Sequence, residues 1–273
     1  MLVDRHSESG DFLPRQADAG GVSWAQAAAV ILAVAAIVAV ATVCASAAAY
    51  GFDRWTGLGS PRAYRPGELE DLTTARLAMF LMAFQIASVV LGLAVGALLQ
   101  ATTRAPDGAT ASLLSFRKPR GGWRTLATSV ALLLLLATGY GAAIFLHDPA
   151  SMVHDVGPFA GLVRTNSWWL IVLAAAIGAP IAEELVFRGV LFGALRASPA
   201  GPVLAALVSA TMWASLHVSY SVYGLAAIFL IGLYLARVRQ TSGSLLAPIA
   251  CHGFYNGAII LALMSLPESV FTG

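Results

Sequence analysis

The chain has 273 residues, 58% of them hydrophobic and 11% charged, with a formal net charge of +2. A mean hydropathy of +0.78 excludes a soluble globular chain of ordinary composition. So small a net charge, with no long basic run, gives no footing for a nucleic-acid partner. Apolar runs of about 20 residues recur along the chain, and only helices or closed barrels satisfy their backbone groups in lipid. The composition therefore predicts an all-α polytopic membrane protein with little outside the bilayer.

Residues 1–22 are polar, with Arg5 and Arg15 among Asp4, Glu8, Asp11 and Asp18, and read as a disordered tail ahead of a membrane domain over 23–273. The run 22–50 contains Ala45-Ser46-Ala47, which resembles a signal-peptidase site. The run is too long and its leading segment too acidic for cleavage, so it is predicted as the first span. Residues 51–75 read as an exposed loop. The second span, 76–100, holds Gly92 and Gly96, a small-residue pair suited to close helix packing. Arg117, Lys118 and Arg120 then form a basic patch, which suits lipid headgroups but more commonly marks a cytoplasmic loop. Spans over 126–146, 168–195, 202–217, 223–238 and 245–266 complete a set of about seven. With the N-terminus inside, ten Lys and Arg fall on the cytoplasmic side against five outside, which sets the orientation. Cys44 and Cys251 both lie in apolar runs and imply no disulfide framework.

The fourth span carries Ala182-Glu183-Glu184-Leu185-Val186-Phe187-Arg188-Gly189. Ionisable residues at membrane depth are costly and mark a functional site by default. Glu184 and Arg188 are i,i+4 neighbours and pair, whereas Glu183 lies about 100° around the helix and has no such partner. Pro180 removes an N–H from the Ala176 carbonyl, predicting a local opening that lets water reach Glu183. Gly189 and Gly193 leave room for a neighbouring helix. Two more polar constellations sit in apolar spans, Trp213 with His217 and His252 with Asn256, each pair at i,i+4 spacing. By rise per residue, Glu183, His217, His252 and Asn256 lie roughly 12–22 Å from the cytoplasmic ends of their helices, close enough in level to share one site.

Glu183-Glu184-x-x-x-Arg188, an aromatic residue four ahead of His217, and His252-x-x-x-Asn256, in this order, resemble the CPBP family. These are the CAAX prenyl endopeptidases and bacteriocin-processing proteins, and the likeness covers about the last 110 residues, with a core at 165–266. Trp213 stands where the family usually has Phe, a change expected to affect packing only. The resemblance implies membrane helices enclosing a hydrophilic cavity, with peptide-bond hydrolysis inside it, usually described as metal-dependent. Its catalytic set would be Glu183, Glu184, Arg188, His217, His252 and Asn256. Read physically, Glu183 and His217 hold the attacking water, and His252 and Asn256 offer donors to the oxyanion. A zinc ion on His217 and His252 with a carboxylate is the other arrangement, although no His-Glu-x-x-His helix is present. The expected partners are a membrane protein or peptide substrate and the lipid bilayer, in a bacterial plasma membrane. A non-proteolytic scaffold or immunity protein and a proton-coupled transporter are the rival readings. Retention of the whole polar set argues against the first, and the lack of an internal repeat against the second.

Overall fold

Helix α1 (Trp24–Thr56) opens on a capping box, Ser23 Oγ accepting from the Gln26 amide at 3.2 Å and Gln26 Oε1 from the Ser23 amide at 2.8 Å. Its buried stripe, from Ala27 through Val30, Val34 and Ile37 to Ala41, Ala45 and Ala49, follows the helical period and is mostly small, so α2 (Glu68–Thr102) lies close along it. At 33 and 35 residues, both helices are about 50 Å long and overrun a hydrocarbon layer of about 30 Å. The expected loop over 51–75 is therefore narrower. Arg76 and Asp53 pair at 2.7 Å across the overrunning turns. The computed structural model describes residues 22–60, 64–102, 113–267 and 270. Of the expected tail only Val22 falls among them. It is buried, and its amide donates to the Ala197 carbonyl.

Then come α3 (Gly122–His147), α4 (Pro149–Leu162), α5 (Trp168–Leu195), α6 (Gly201–His217), α7 (Val222–Ser242) and α8 (Leu246–Ser265). No strand occurs among the described residues. Six helices are long and apolar enough to cross a membrane, and the shorter apolar α6 makes the seventh member of the bundle. Leu, Val and Ile side chains remain exposed along their outer faces, as lipid contact requires. The protein is an integral membrane protein.

Helix α4 is a correction, because it fills the interval 147–167 between two expected spans, where the sequence reads as a loop around Asp148, Pro149, Asp155 and Arg164 and no helix is expected. Asp148 caps it, accepting from the Ser151 amide and hydroxyl at 3.2 and 2.6 Å, and Pro149 fills the first helical position, where its missing N–H costs nothing. Gly189 and Gly193 also serve a different neighbour. A Cβ on them would meet Leu114 and Leu113, so the chain just before α3 packs into these notches rather than a helix. Gly96 of α2 receives the same Leu114. The segment 113–120 thus closes the end of the bundle where α5 and α7 finish.

Candidate functional site

Helix α5 crosses the bundle with two π-helical stretches, Leu173–Gly178 and Glu184–Leu191, on either side of a short α-helical piece that holds Glu183. π segments gather at functional sites because they turn side chains out of the ordinary helical phase. Pro180 sets the first of them. In an i→i+5 register the carbonyl deprived of a partner is that of Ala175, not Ala176 as expected from an α-helix. Asn256 Nδ2 of α8 donates to Ala175 O at 2.7 Å and replaces the missing amide. Gln85 Nε2 of α2 serves Ala174 O at 2.9 Å, which also accepts the Ala179 amide. At the second stretch, Ser209 Oγ of α6 serves the Phe187 carbonyl at 2.9 Å. Gly253 permits the approach of α8, since a Cβ there would lie 2.9 Å from Ala176 O.

Below this opening lies a sealed charge cluster. Glu184 and Arg188 are both fully buried, with Arg188 Nη1 donating to Glu184 Oε1 at 2.8 Å. The same oxygen lies 3.0 Å from His252 Nδ1. Paired with a guanidinium, Glu184 is an ionised acceptor, so Nδ1 carries the proton and Nε2 is turned outward. Arg188 Nη2 also donates to the Gly232 carbonyl of α7 at 3.2 Å. The expected Glu184–Arg188 pair is present, and it binds three helices.

Glu183 is only partly shielded, with 17% of its side chain exposed, and it has a partner that sequence spacing did not reveal. The Trp213 indole N–H donates to Glu183 Oε2 at 2.5 Å. Trp213 is therefore more than a packing substitute for Phe, because no Phe offers that donor. Its ring also carries the Arg188 guanidinium, 4.5 Å from the ring centroid, and meets the rings of His252 and His217 edge-on at 5.3 and 5.5 Å. His252 Nε2 stands 4.0 Å from Glu183 Oε2. That gap is too long for a direct bond and suits a bridging water.

The structure brings Glu183, Glu184, Arg188 and His252 together around Trp213. His217 sits in a 3₁₀ turn at the end of α6, its Nδ1 3.2 Å from the Trp213 carbonyl. It reaches Glu183 through Trp213, not by a hydrogen bond of its own. A small cleft bordered by Glu183, Ser88, Phe84 and Leu216 opens beside the carboxylate. Tyr220, edge-on to His217 at 5.8 Å, lies beyond it. Burial, then the charges of Tyr255, Asp155 and Glu183, push its phenol up to about 12, so it keeps its proton near neutrality.

Residues 165–258 match the family model for the type II CAAX prenyl endopeptidase, Rce1-like proteins. The likeness is to this segment and not to the rest of the chain. The match takes in Glu183, Glu184, Arg188, Trp213, His217, His252 and Asn256, and leaves out Gln85, Phe84 and Ser88 of α2. An uncharacterized 24.3 kDa protein of Escherichia coli is 34% identical over 85 residues, which make up 30% of this chain and 39% of that relative. The chain thus spans about two fifths of the length of the curated relative it matches. No solved structure matches it.

Within the Rce1-like segment the donors for a metal can be weighed. A catalytic zinc takes three protein ligands. No three of His, Cys, Asp and Glu among the described residues stand close enough together to hold an ion. His217 and His252 each keep one ring nitrogen free while a carbonyl and Glu184 hold the other, as metal-ligating histidines also do, so it is the want of a third ligand beside them that decides. This donor set does not fit a zinc centre. Sequence reasoning missed Trp213 as a donor, along with Gln85 and Ser209. The last two carry a signal in hindsight, as polar side chains inside apolar runs that must find a buried acceptor.

Proposed function

We propose that this protein is an intramembrane endopeptidase that hydrolyses a peptide bond in a membrane-associated protein or peptide. One observation carries the reading: a mostly shielded carboxylate, Glu183, still partly open to water, faces the outward nitrogen of His252 across a gap of one water, above a buried Glu184–Arg188 pair. Glu183 takes a proton from that water as it attacks the scissile carbonyl, then returns it to the departing amine. His252 orients the water, held in its tautomer by Glu184. His217 Nδ1 faces the Trp213 carbonyl and carries the proton, which leaves Nε2, without a hydrogen bond to a described residue, as a second acceptor for the attacking water. Asn256, whose Nδ2 is engaged by Ala175 O, acts by holding α5 open. No step is assigned to a metal.

The Rce1-like match supports proteolysis, the apolar spans support a membrane setting, and the Escherichia coli relative supports a bacterial one. The excess of Lys and Arg at the end bearing Arg117, Arg196 and Arg239 supports a cytoplasmic N-terminus. Glu183→Gln tests the mechanism, since it removes the base at nearly constant shape. Membranes from cells carrying the wild-type chain should contain protein termini that are missing with the variant, although both insert equally. If the variant produces the same termini, the mechanism is wrong.

A further inference from the structure

Four arginines meet at the end of the bundle where α5 and α7 finish. Arg239, in the last turn of α7, is fully buried, donates from Nη2 to the Leu113 carbonyl at 3.2 Å, and has no partner for Nε or Nη1. Arg196, just past α5, donates to Gln240 Oε1 at 3.1 Å. Arg117 donates from Nε to the Gly243 carbonyl at 3.0 Å. Gly243, at φ +64°, leaves the space these loop arginines use. A Cβ there would lie 2.9 Å from Arg117 Nη2 and 3.3 Å from Arg120 Nε. Arg117 and Arg120 themselves are exposed.

Every acceptor named here is neutral, and no ion pair of the described residues includes any of the four. The charges act on one another instead. Burial, then Arg120 and Arg117, hold the Arg196 guanidinium below its ordinary range, and Arg239 lies within electrostatic reach of Arg196 and Arg117. Helix dipoles account for cations in the last turns of α5 and α7. They do not account for two bare donors on a buried guanidinium, nor for Arg117 and Arg120, which come from the loop before α3. A group of like charges with unused donors lacks its counter-ion.

We propose that Arg117, Arg120, Arg196 and Arg239 form a binding site for a phosphate-bearing anion. The exposed Arg117 and Arg120 grip it, and Arg239 is the fixed positive floor beneath. Guanidinium forks match phosphate oxygens in pairs, and the place of the cluster, where the spans end, is the level of lipid headgroups. The inference is independent of the proteolytic reading, because the site lies at the closed end of the bundle.

The test is thermal unfolding of the full chain in uncharged detergent, followed by tryptophan fluorescence, with phosphatidylglycerol, phosphatidylcholine or inorganic phosphate added. Phosphatidylglycerol should raise Tm saturably and phosphatidylcholine should not. The Arg117→Ala, Arg120→Ala double variant should lose that rise while keeping or exceeding the wild-type Tm in anion-free detergent, because repulsion is relieved. Arg237→Ala, an exposed arginine of the same helix end outside the cluster, should keep the rise. A rise with inorganic phosphate as well would assign the site to phosphate from either source, and a rise with lipid alone to a headgroup. No rise with either anion, a rise that survives in the double variant, or its equal loss in Arg237→Ala would overturn the proposal.

Discussion

Trp213 differs from Phe by one N–H that matters here, the donor to Glu183. Trp213→Phe keeps an aromatic ring against Arg188, His217 and His252 but leaves Glu183 free to swing. A hydrogen bond to a charged group contributes roughly 1.5–3 kcal/mol. Turnover should fall about 10- to 100-fold with KM little changed, since the substrate is not what Trp213 holds. A larger KM at unchanged kcat would show that the ring, not its N–H, does the positioning. The metal question also belongs at this scale. With His217 and His252 each left one free nitrogen and no third ligand at hand, activity should survive washing with a strong chelator. Stoichiometric zinc in washed, active protein, lost together with activity in His217→Ala, would reverse the assignment.

In helix α5 the decisive feature is a backbone register rather than a side chain. Asn256→Ala should strand the Ala175 carbonyl and lower stability by about 1–3 kcal/mol. Pro180→Ala restores an N–H at the position that the π register needs, so the double variant should regain much of that loss. If Pro180→Ala gave no rescue in thermal unfolding, Asn256 would serve something other than the helix opening. The positions of α5, α6 and α8, and the Glu184–Arg188 pairing, were legible because i,i+4 spacing is a property of helices whatever surrounds them. Two things were not. The π register depends on three other helices lending Gln85, Ser209 and Asn256 to its carbonyls, which no local pattern encodes. Helix α4 was passed over although Asp148 and Pro149 are a start signal, because its short length resembles a loop beside spans twice as long.

For the whole molecule, the bundle assigns the turn after α1 and the segment before α3 to opposite ends. Cysteines placed at the exposed Ser60 and Phe116, in a Cys44→Ala background, should react with impermeant reagents from opposite sides of the membrane, Phe116 from the cytoplasm. Labelling of both from one side would remove the alternating topology, and the proposed orientation with it.

The buried Glu184–Arg188 pair also bears on how the chain enters the membrane during synthesis. Helix α5 emerges from the ribosome before either of its outside partners. The Gly232 carbonyl follows Arg188 by 44 residues and His252 follows Glu184 by 68. A lone charge at mid-span costs roughly 2.5–3.5 kcal/mol to insert. Because the two opposite charges sit one turn apart on a single helix, α5 carries its own neutralisation across, and only the Gly232 carbonyl and the histidine have to arrive late. Splitting the same two charges between α5 and α8 would leave the helix waiting at the translocon for a counter-charge not yet made.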